Sequence, residues 1–412
     1  MQPRTTLSIE AIRSHFPALE RVHNGHRVAY FDGPGGTQIP RSVVEAMSDY
    51  LYHHNANTHW EYPTSGETDR MLEDSRRAFA DFFNARPDEI VFGQNMTTLT
   101  LHLGRALGRR FAAGDEIIVT ELDHHANVDT WRSLSSDFGI NIRVLPFDIE
   151  TGRLEIEELP GLINERTRLI AVGAASNAIG TVNDVTTICR MAREAGALSF
   201  VDAVHFAPHS LIDVKAIGCD LLACSAYKFY GPHIGILFGR FDLLEELDFP
   251  RLRPAPQAAP EKAETGTQSH ESIIGAAAAV DFIASLGQGE TRRQCIADAF
   301  DTMHGRDVEL CRVLSNGLAE IDGVKLYGPP PGEKRTSLVS FTVGGRLSSE
   351  VSAFLAERGL FLSHGDFYAQ TVLERYGLED QGFVRAGCSV YTTIEEVERL
   401  LDGIRAISGL RG

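Results

Sequence analysis

Six cysteines in 412 residues (Cys189, Cys219, Cys224, Cys295, Cys311 and Cys388) form no CxxC pair, so neither a disulfide scaffold nor a cysteine-based zinc site is indicated. Several stand in apolar stretches such as Leu221-Leu222-Ala223-Cys224 and read as buried reduced thiols, which points to a cytoplasmic protein. Positive charge is also scarce. Against 56 Asp and Glu there are 39 Lys and Arg, for a net charge of −17. That balance argues against a general nucleic-acid or anionic-membrane surface, since both need clustered cations. No run of about 18 apolar residues occurs, the least a membrane-spanning helix needs. The opening Met1-Gln2-Pro3-Arg4-Thr5-Thr6 lacks the apolar stretch of an export signal. Internal repeats and low-complexity tracts are missing too. What is present is an ordinary globular composition, 43% hydrophobic and 23% charged. The chain is long enough for two domains and needs no metal or disulfide to hold its core.

From about Arg41 to Phe238 helical and extended patterns alternate. Val44, Met47 and Leu51 share one helical face, as do Leu72, Phe79 and Phe83, and then Leu99, Leu103 and Leu107. Between and after them lie seven short β-rich runs: Glu89–Phe92, Glu116–Thr120, Asn141–Leu145, Leu169–Gly173, Ala197–Val201, Asp220–Cys224 and Gly235–Phe238. Apolar strands separated by amphipathic helices predict an α/β unit with a mainly parallel sheet covered on both faces. Ligands of such sheets bind at the carboxyl ends of the strands. The proline-rich stretch Pro250–Pro260 breaks the pattern and is expected to be a surface loop. An apolar helix is predicted from Ser272 to Leu286 and a long amphipathic one from about Thr291. The remainder reads as α+β, with strands at Ser337–Val343 and Phe383–Ala386 and helices at Ser349–Arg358 and Thr393–Ile407.

Chemically capable residues gather where strands end. Asp202 follows one strand, and Ser225-Ala226-Tyr227-Lys228 follows another. An acid on one strand end and a lysine on another are what pyridoxal 5′-phosphate (PLP) requires. The lysine holds the aldehyde as a Schiff base, and the carboxylate keeps the pyridine nitrogen protonated. Taken alone, Lys228 reads more simply as a surface lysine. Between Tyr227 and Phe229, after an apolar strand, it is placed for a desolvated pocket where the neutral amine is easier to reach. Asn95-Met96-Thr97-Thr98 precedes the Leu99 helix and offers hydroxyls and N–H groups to a phosphate, although an ordinary threonine N-cap explains it as well. Ser225 and Tyr227 add hydroxyls. Asp123-His124-His125 has the residue types of a metal site, but no third ligand stands at a telling spacing. An imidazole stacked on the cofactor ring fits better, so no metal is expected. Asn177, which by itself is a turn residue, would place an amide beside the cofactor's phenolic oxygen.

In this order the residues resemble the class V aminotransferase family, and within it the cysteine desulfurase and selenocysteine lyase branch. The likeness runs from Tyr30-Phe31-Asp32 to Tyr391-Thr392-Thr393. It is carried by Asn55-Ala56-Asn57-Thr58-His59, Asp123-His124-His125-Ala126-Asn127, Ser176-Asn177-Ala178-Ile179-Gly180-Thr181, Ser225-Ala226-Tyr227-Lys228-Phe229-Tyr230-Gly231-Pro232, Glu264-Thr265-Gly266-Thr267-Gln268 and Val384-Arg385-Ala386-Gly387. It implies the aspartate-aminotransferase-like PLP fold, with an N-terminal arm over 1–28 packing on the small domain, a large PLP-binding domain over 29–288 and a small domain over 289–412. It further implies that Lys228 is the Schiff-base lysine and proton shuttle, that His124 stacks on the ring, that Asp202 pairs with the ring nitrogen and that Asn177 approaches its phenolic oxygen. Thr97, the backbone around Met96, Ser225 and Tyr227 would hold the phosphate. Thr267 would reach the phosphate of a second subunit, which makes a homodimer. Arg385 would clamp the substrate carboxylate.

The departures bear on the reaction. His205 stands where the family usually has glutamine, and it can still hydrogen-bond the phenolic oxygen. Tyr227 replaces a histidine and Trp60 an arginine. The stretch Ser363-His364-Gly365-Asp366-Phe367-Tyr368-Ala369 has no cysteine where desulfurases carry a mobile nucleophilic one. Cys388 lies three residues beyond Arg385, on the opposite face of an extended strand. The expected function is therefore a PLP-dependent lyase or desulfurase-like enzyme acting on a small β-substituted L-amino acid. Transamination to a 2-oxo acid is the alternative within the family, and a non-catalytic PLP-fold binding protein the alternative outside it.

Overall fold

The computed structural model describes residues 8–330 and 332–409. The reading of Met1–Thr6, like the first part of the expected arm, lies outside the described residues.

Seven strands form the main sheet: β1 (Ile90–Gly93), β2 (Glu116–Thr120), β3 (Asn141–Leu145), β4 (Thr167–Gly173), β5 (Leu198–Asp202), β6 (Leu221–Ser225) and β7 (Gly235–Gly239), in the order β1-β7-β6-β5-β4-β2-β3. Each falls within two residues of its sequence expectation. The sheet is parallel except at β7, which runs antiparallel to both β6 and β1. The link from β6 to β7 is too short for a crossover helix, so the chain turns straight back. Lys228 sits in that turn. Every residue of β6 and β7 is buried, as a sheet covered on both faces demands. One face packs on Phe79, Phe82 and Phe83 of α1 (Pro63–Phe83). The other packs on Leu103 and Leu107 of α2 (Met96–Gly108) and on Trp131 of α3 (Asp129–Phe138).

The apolar helix α4 (His270–Ser285) leads into the long α5 (Arg292–Ala319), which opens with a capping box between Thr291 and Gln294. A second, wholly antiparallel sheet follows. Its strands β8 (Val324–Tyr327), β9 (Leu338–Val343), β10 (Ser363–Gly365) and β11 (Phe383–Gly387) lie in the order β8-β9-β11-β10. The closing helix α6 (Ile394–Ser408) packs against α5, its start fixed by a second capping box, Thr393 with Glu396. Near the amino end, Phe16 packs edge-on against Phe282, Tyr230 and Tyr391, and Arg13 makes two hydrogen bonds to the Glu396 carboxylate at 2.9 and 3.1 Å. No helix among the described residues is long and apolar enough to cross a membrane.

Candidate active site

A cavity of about 1000 Å3 opens at the carboxyl ends of β4, β5 and β6, with the β10–β11 side of the second sheet as its far wall. Met96, Thr97, His124, Asn177, Asp202, His205, Ser225, Tyr227, Lys228 and Arg385 all line it. Asp202 and Ser225 are the last residues of their strands, so the hydrogen-bond ladder itself fixes them. The amino end of α2 is brought close by Gly235, where a Cβ would lie 2.4 Å from the Asn95 carbonyl carbon. Asn95 caps that helix through its side chain, accepting the Thr98 N–H at 2.9 Å; the threonine cap expected as the plain explanation is not formed. Met96 N–H donates to Ser225 Oγ at 3.0 Å, which leaves the serine O–H to donate elsewhere. Exposed N–H groups, hydroxyls and the positive end of a helix dipole together suit a phosphate.

Lys228 is held by backbone. Its Nζ donates to Pro34 O and, at 3.0 Å, to Gly35 O, and lies 4.7 Å from the centre of the Tyr227 ring. His233 stacks on that ring at 4.9 Å and 14°. Burial, then the positive charge of Arg385, pulls the ammonium down to about 7, against the pull of Asp32 and Asp202. A lysine so placed is half neutral near physiological pH and available as a nucleophile or base.

Opposite, Asp202 accepts the Val204 N–H at 2.9 Å, and burial raises its carboxyl to about 6. Asp123 lies behind it. This second buried acid accepts Gly173 N–H at 2.8 Å and Asn127 Nδ2–H at 2.9 Å, and Asn127 in turn accepts from Trp131 Nε1 at 3.0 Å. Burial and then the neighbouring Asp202 push Asp123 up to about 8. Two carboxyls in one low-dielectric neighbourhood resist double ionisation, so the proton rests on Asp123 and Asp202 is the anion. His124 accepts the Ala126 N–H on Nδ1 at 3.0 Å, and burial followed by Lys228 lowers it to about 4, so it is a neutral ring. His125 is engaged separately, with Asp129 at 2.7 Å and Thr371 at 3.3 Å. His205 pairs through Nε2 with Thr336 Oγ1 at 3.0 Å, and burial holds it far below its ordinary value.

Arg385 is buried and almost fully committed. Nε donates to Ser363 Oγ at 3.2 Å and Nη1 to Asn177 O at 2.9 Å, while Asp32 Oδ1 stands 3.7 Å from Nη2. The Phe367 ring covers one face of the guanidinium at 3.8 Å. Asn177 Nδ2 donates to Phe367 O at 2.9 Å, so the amide expected to face the cofactor spends its donor on this loop.

Of the residues expected to bind cofactor or substrate, Thr267 alone stands apart from the cavity; it is exposed on the approach to α4. Trp60 is also outside and 62% exposed. The sequence reading missed Asp32, the carbonyls of Pro34 and Gly35, and the part played by Asp123. Cys388 does not line the cavity. It is buried in the core of the second sheet beside Leu314 and Phe341, and burial pushes its thiol well up, away from the reactive thiolate. Cys388→Ser is expected to cost about 1–3 kcal/mol of stability, from a hydroxyl in an apolar site. Turnover should stay nearly intact. Denaturant melts beside steady-state rates check this, and a large loss of rate in a folded variant would return the thiol to the reaction.

The model of the aminotransferase class-V family matches residues 29–400. A cysteine desulfurase of Pectobacterium carotovorum subsp. carotovorum (strain PC1) is 33% identical over 420 residues, covering 98% of this chain and 99% of its own. The apo structure of a cysteine desulfurase from Thermococcus onnurineus NA1 superposes with a TM-score of 0.88 at 28% identity, over 97% of this chain and 98% of that one. At 21% identity, where likeness speaks for the fold alone, a C-DES mutant with glycine covalently linked to its PLP cofactor gives a TM-score of 0.80, covering 95% of this chain and 98% of that one.

Proposed function

The chain belongs to the class V aminotransferase family, and from that premise we propose that it removes the β-substituent from a small L-amino acid with no cysteine of its own in the reaction. It is a PLP-dependent enzyme of the cysteine desulfurase-like branch. The residues present fit that cofactor. Asn177 Oδ1 and His205 Nδ1 are buried at the cavity without a hydrogen-bond partner among the described residues, a cost that a polar occupant would remove.

The observation that carries the reading is one cavity holding a half-buried lysine lowered to about 7, a buried acid and a buried guanidinium. Bound PLP supplies an electron-accepting ring that stabilises negative charge at the substrate Cα. Lys228 would hold the aldehyde and, as a neutral amine, would take the Cα proton. Asp202, as the anion of its pair, keeps the ring nitrogen protonated. His124, neutral, offers a flat face for stacking. Ser225 O–H, Tyr227 O–H, the Thr97 side chain and the N–H groups around Met96 hold the phosphate. His205 Nδ1 meets the phenolic oxygen, and Asn177 stands beside both it and the substrate. Arg385 binds the substrate carboxylate through its uncommitted edge. With no thiolate in the loop at 363–369, the β-substituent leaves with its bonding pair and is not passed to the protein. We further propose a cytoplasmic homodimer with Thr267 reaching the second subunit's phosphate; exposed Tyr52, Trp60 and Tyr62 support such an interface.

Product analysis over L-cysteine, L-cysteine sulfinate and other β-substituted amino acids tests the proposal. Pyruvate and ammonia are expected together with the released group. No product across the panel, with an amino donor instead converting the cofactor stoichiometrically to its aminated form, would replace this reading with transamination.

A further inference from the structure

Phe367 and Tyr368 are consecutive non-glycine residues, each with φ of 57°, a left-handed conformation that side chains rarely adopt. Four hydrogen bonds fix the pair. Asn177 Nδ2 donates to Phe367 O at 2.9 Å, His125 N–H to Tyr368 O at 2.7 Å, Tyr368 N–H to Asp366 Oδ1 at 2.9 Å and Ala369 N–H to Asp366 O at 2.9 Å. The result is two aromatic rings aimed at the site. Phe367 lies on the Arg385 guanidinium, and the Tyr368 ring stacks on His124 at 5.4 Å and 29°. Backbone strain held in place from two other segments, at Asn177 and His125, marks a surface shaped for a ligand.

We infer that Phe367 and Tyr368 form the specificity-determining wall of this site, which selects α-amino monocarboxylates with an uncharged, polarisable β-substituent, a thioether or its selenium counterpart, over a second carboxylate or a sulfinate. The inference rests on the roles proposed above for Lys228 and Arg385.

Charge supports it first. Among the described residues lining the cavity, Arg385 is the one guanidinium and Lys228 the one ammonium. Arg385 has a single edge left for a carboxylate, and Lys228 is taken up by the chemistry. A second anion on the substrate would find no matching cation. Acids close behind the lining add to this: Asp32 stands 3.7 Å from Arg385, and Asp366 lies near enough to His124 to oppose the lowering of its pKa. Shape and polarisability come second. Flat aromatic faces attract sulfur at their edges, whereas an oxyanion set against a π face is repelled by the ring quadrupole.

Rapid-mixing absorbance titrations of the PLP-loaded enzyme, read before turnover, give dissociation constants for S-methyl-L-cysteine, L-alanine, L-aspartate and L-cysteine sulfinate. S-Methyl-L-cysteine is expected to bind about three- to tenfold more tightly than L-alanine, the range of a sulfur–aromatic contact. L-Aspartate and the sulfinate should bind more weakly than L-alanine. Phe367→Leu and Tyr368→Leu should each shrink the thioether-to-alanine ratio without lowering cofactor content. Should Phe367→Leu lose the cofactor, the 73% exposed Tyr368 carries the test. Anionic probes binding as tightly as the thioether, or a ratio unchanged in the loaded variants, overturns the inference and leaves the general reading standing. If not even L-alanine perturbs the absorbance, both fall.

Discussion

Lys228→Ala is expected to abolish the long-wavelength absorbance of the PLP-loaded protein and to cut turnover by at least ~10²–10⁴-fold, the range for losing a positioned proton-transfer group. The assignment is sharp because the chain has few rivals. Lys262 is also buried, but its Nζ is spent on Glu245 O, outside the cavity. Among the described residues, Lys228 is the lysine that combines a place in the cavity, the influence of Asp202 and a lowered pKa. That pKa sets a sign. With the amine at about 7, its neutral and nucleophilic fraction grows as pH rises through that value, so the wild-type apoenzyme should take up PLP faster at pH 8 than at pH 6. An ordinary exposed lysine, near 10.4, would stay almost wholly protonated across that window. Unchanged absorbance in the variant would put the cofactor on another amine and remove the basis of every role assigned here.

Lys228 was legible because its signal is local: an apolar strand, a lysine between aromatic residues and a glycine soon after. The bounds of β2 and β3 matched expectation to the residue: β2 is a continuous apolar run after Glu116, and β3, at the sheet edge, alternates Asn141 and Arg143 with Ile142 and Val144. Other features had no local signal. The carbonyls that hold Lys228 come from Pro34 and Gly35, and a backbone acceptor has no residue signature in a sequence. Asp32 reads as a turn residue until the fold sets it beside Arg385. Asp123 was visible as part of a motif, yet its role depends on Gly173 and Asp202, which only strand pairing brings near it. The cap on α2 was misread for a physical reason: Asn95 and the threonines beside it all cap well, and backbone geometry chose among them. Phe367 on Arg385 is a tertiary contact with no periodic pattern to announce it.

Asp202→Ala should separate holding the cofactor from using it. The groups proposed to hold the phosphate, around Met96, Thr97 and Ser225, and the proposed attachment at Lys228 would not depend on Asp202, so PLP occupancy should fall little. The rate per bound cofactor should fall about 10²–10³-fold, as when one preorganised electrostatic partner is removed from a developing charge. Asp123 cannot take over. Losing Asp202 removes the like charge that helps keep Asp123 protonated, but its oxygens remain tied to Gly173 N–H and Asn127 Nδ2–H. Asp202→Asn sharpens the comparison, because it keeps the shape and the acceptor for Val204 N–H while deleting the anion. Both variants should therefore be slow by similar factors if charge is what matters. If the asparagine variant turns over normally, or if occupancy collapses while each bound cofactor still reacts at the wild-type rate, Asp202 serves to build the pocket and the ring nitrogen is protonated by other means.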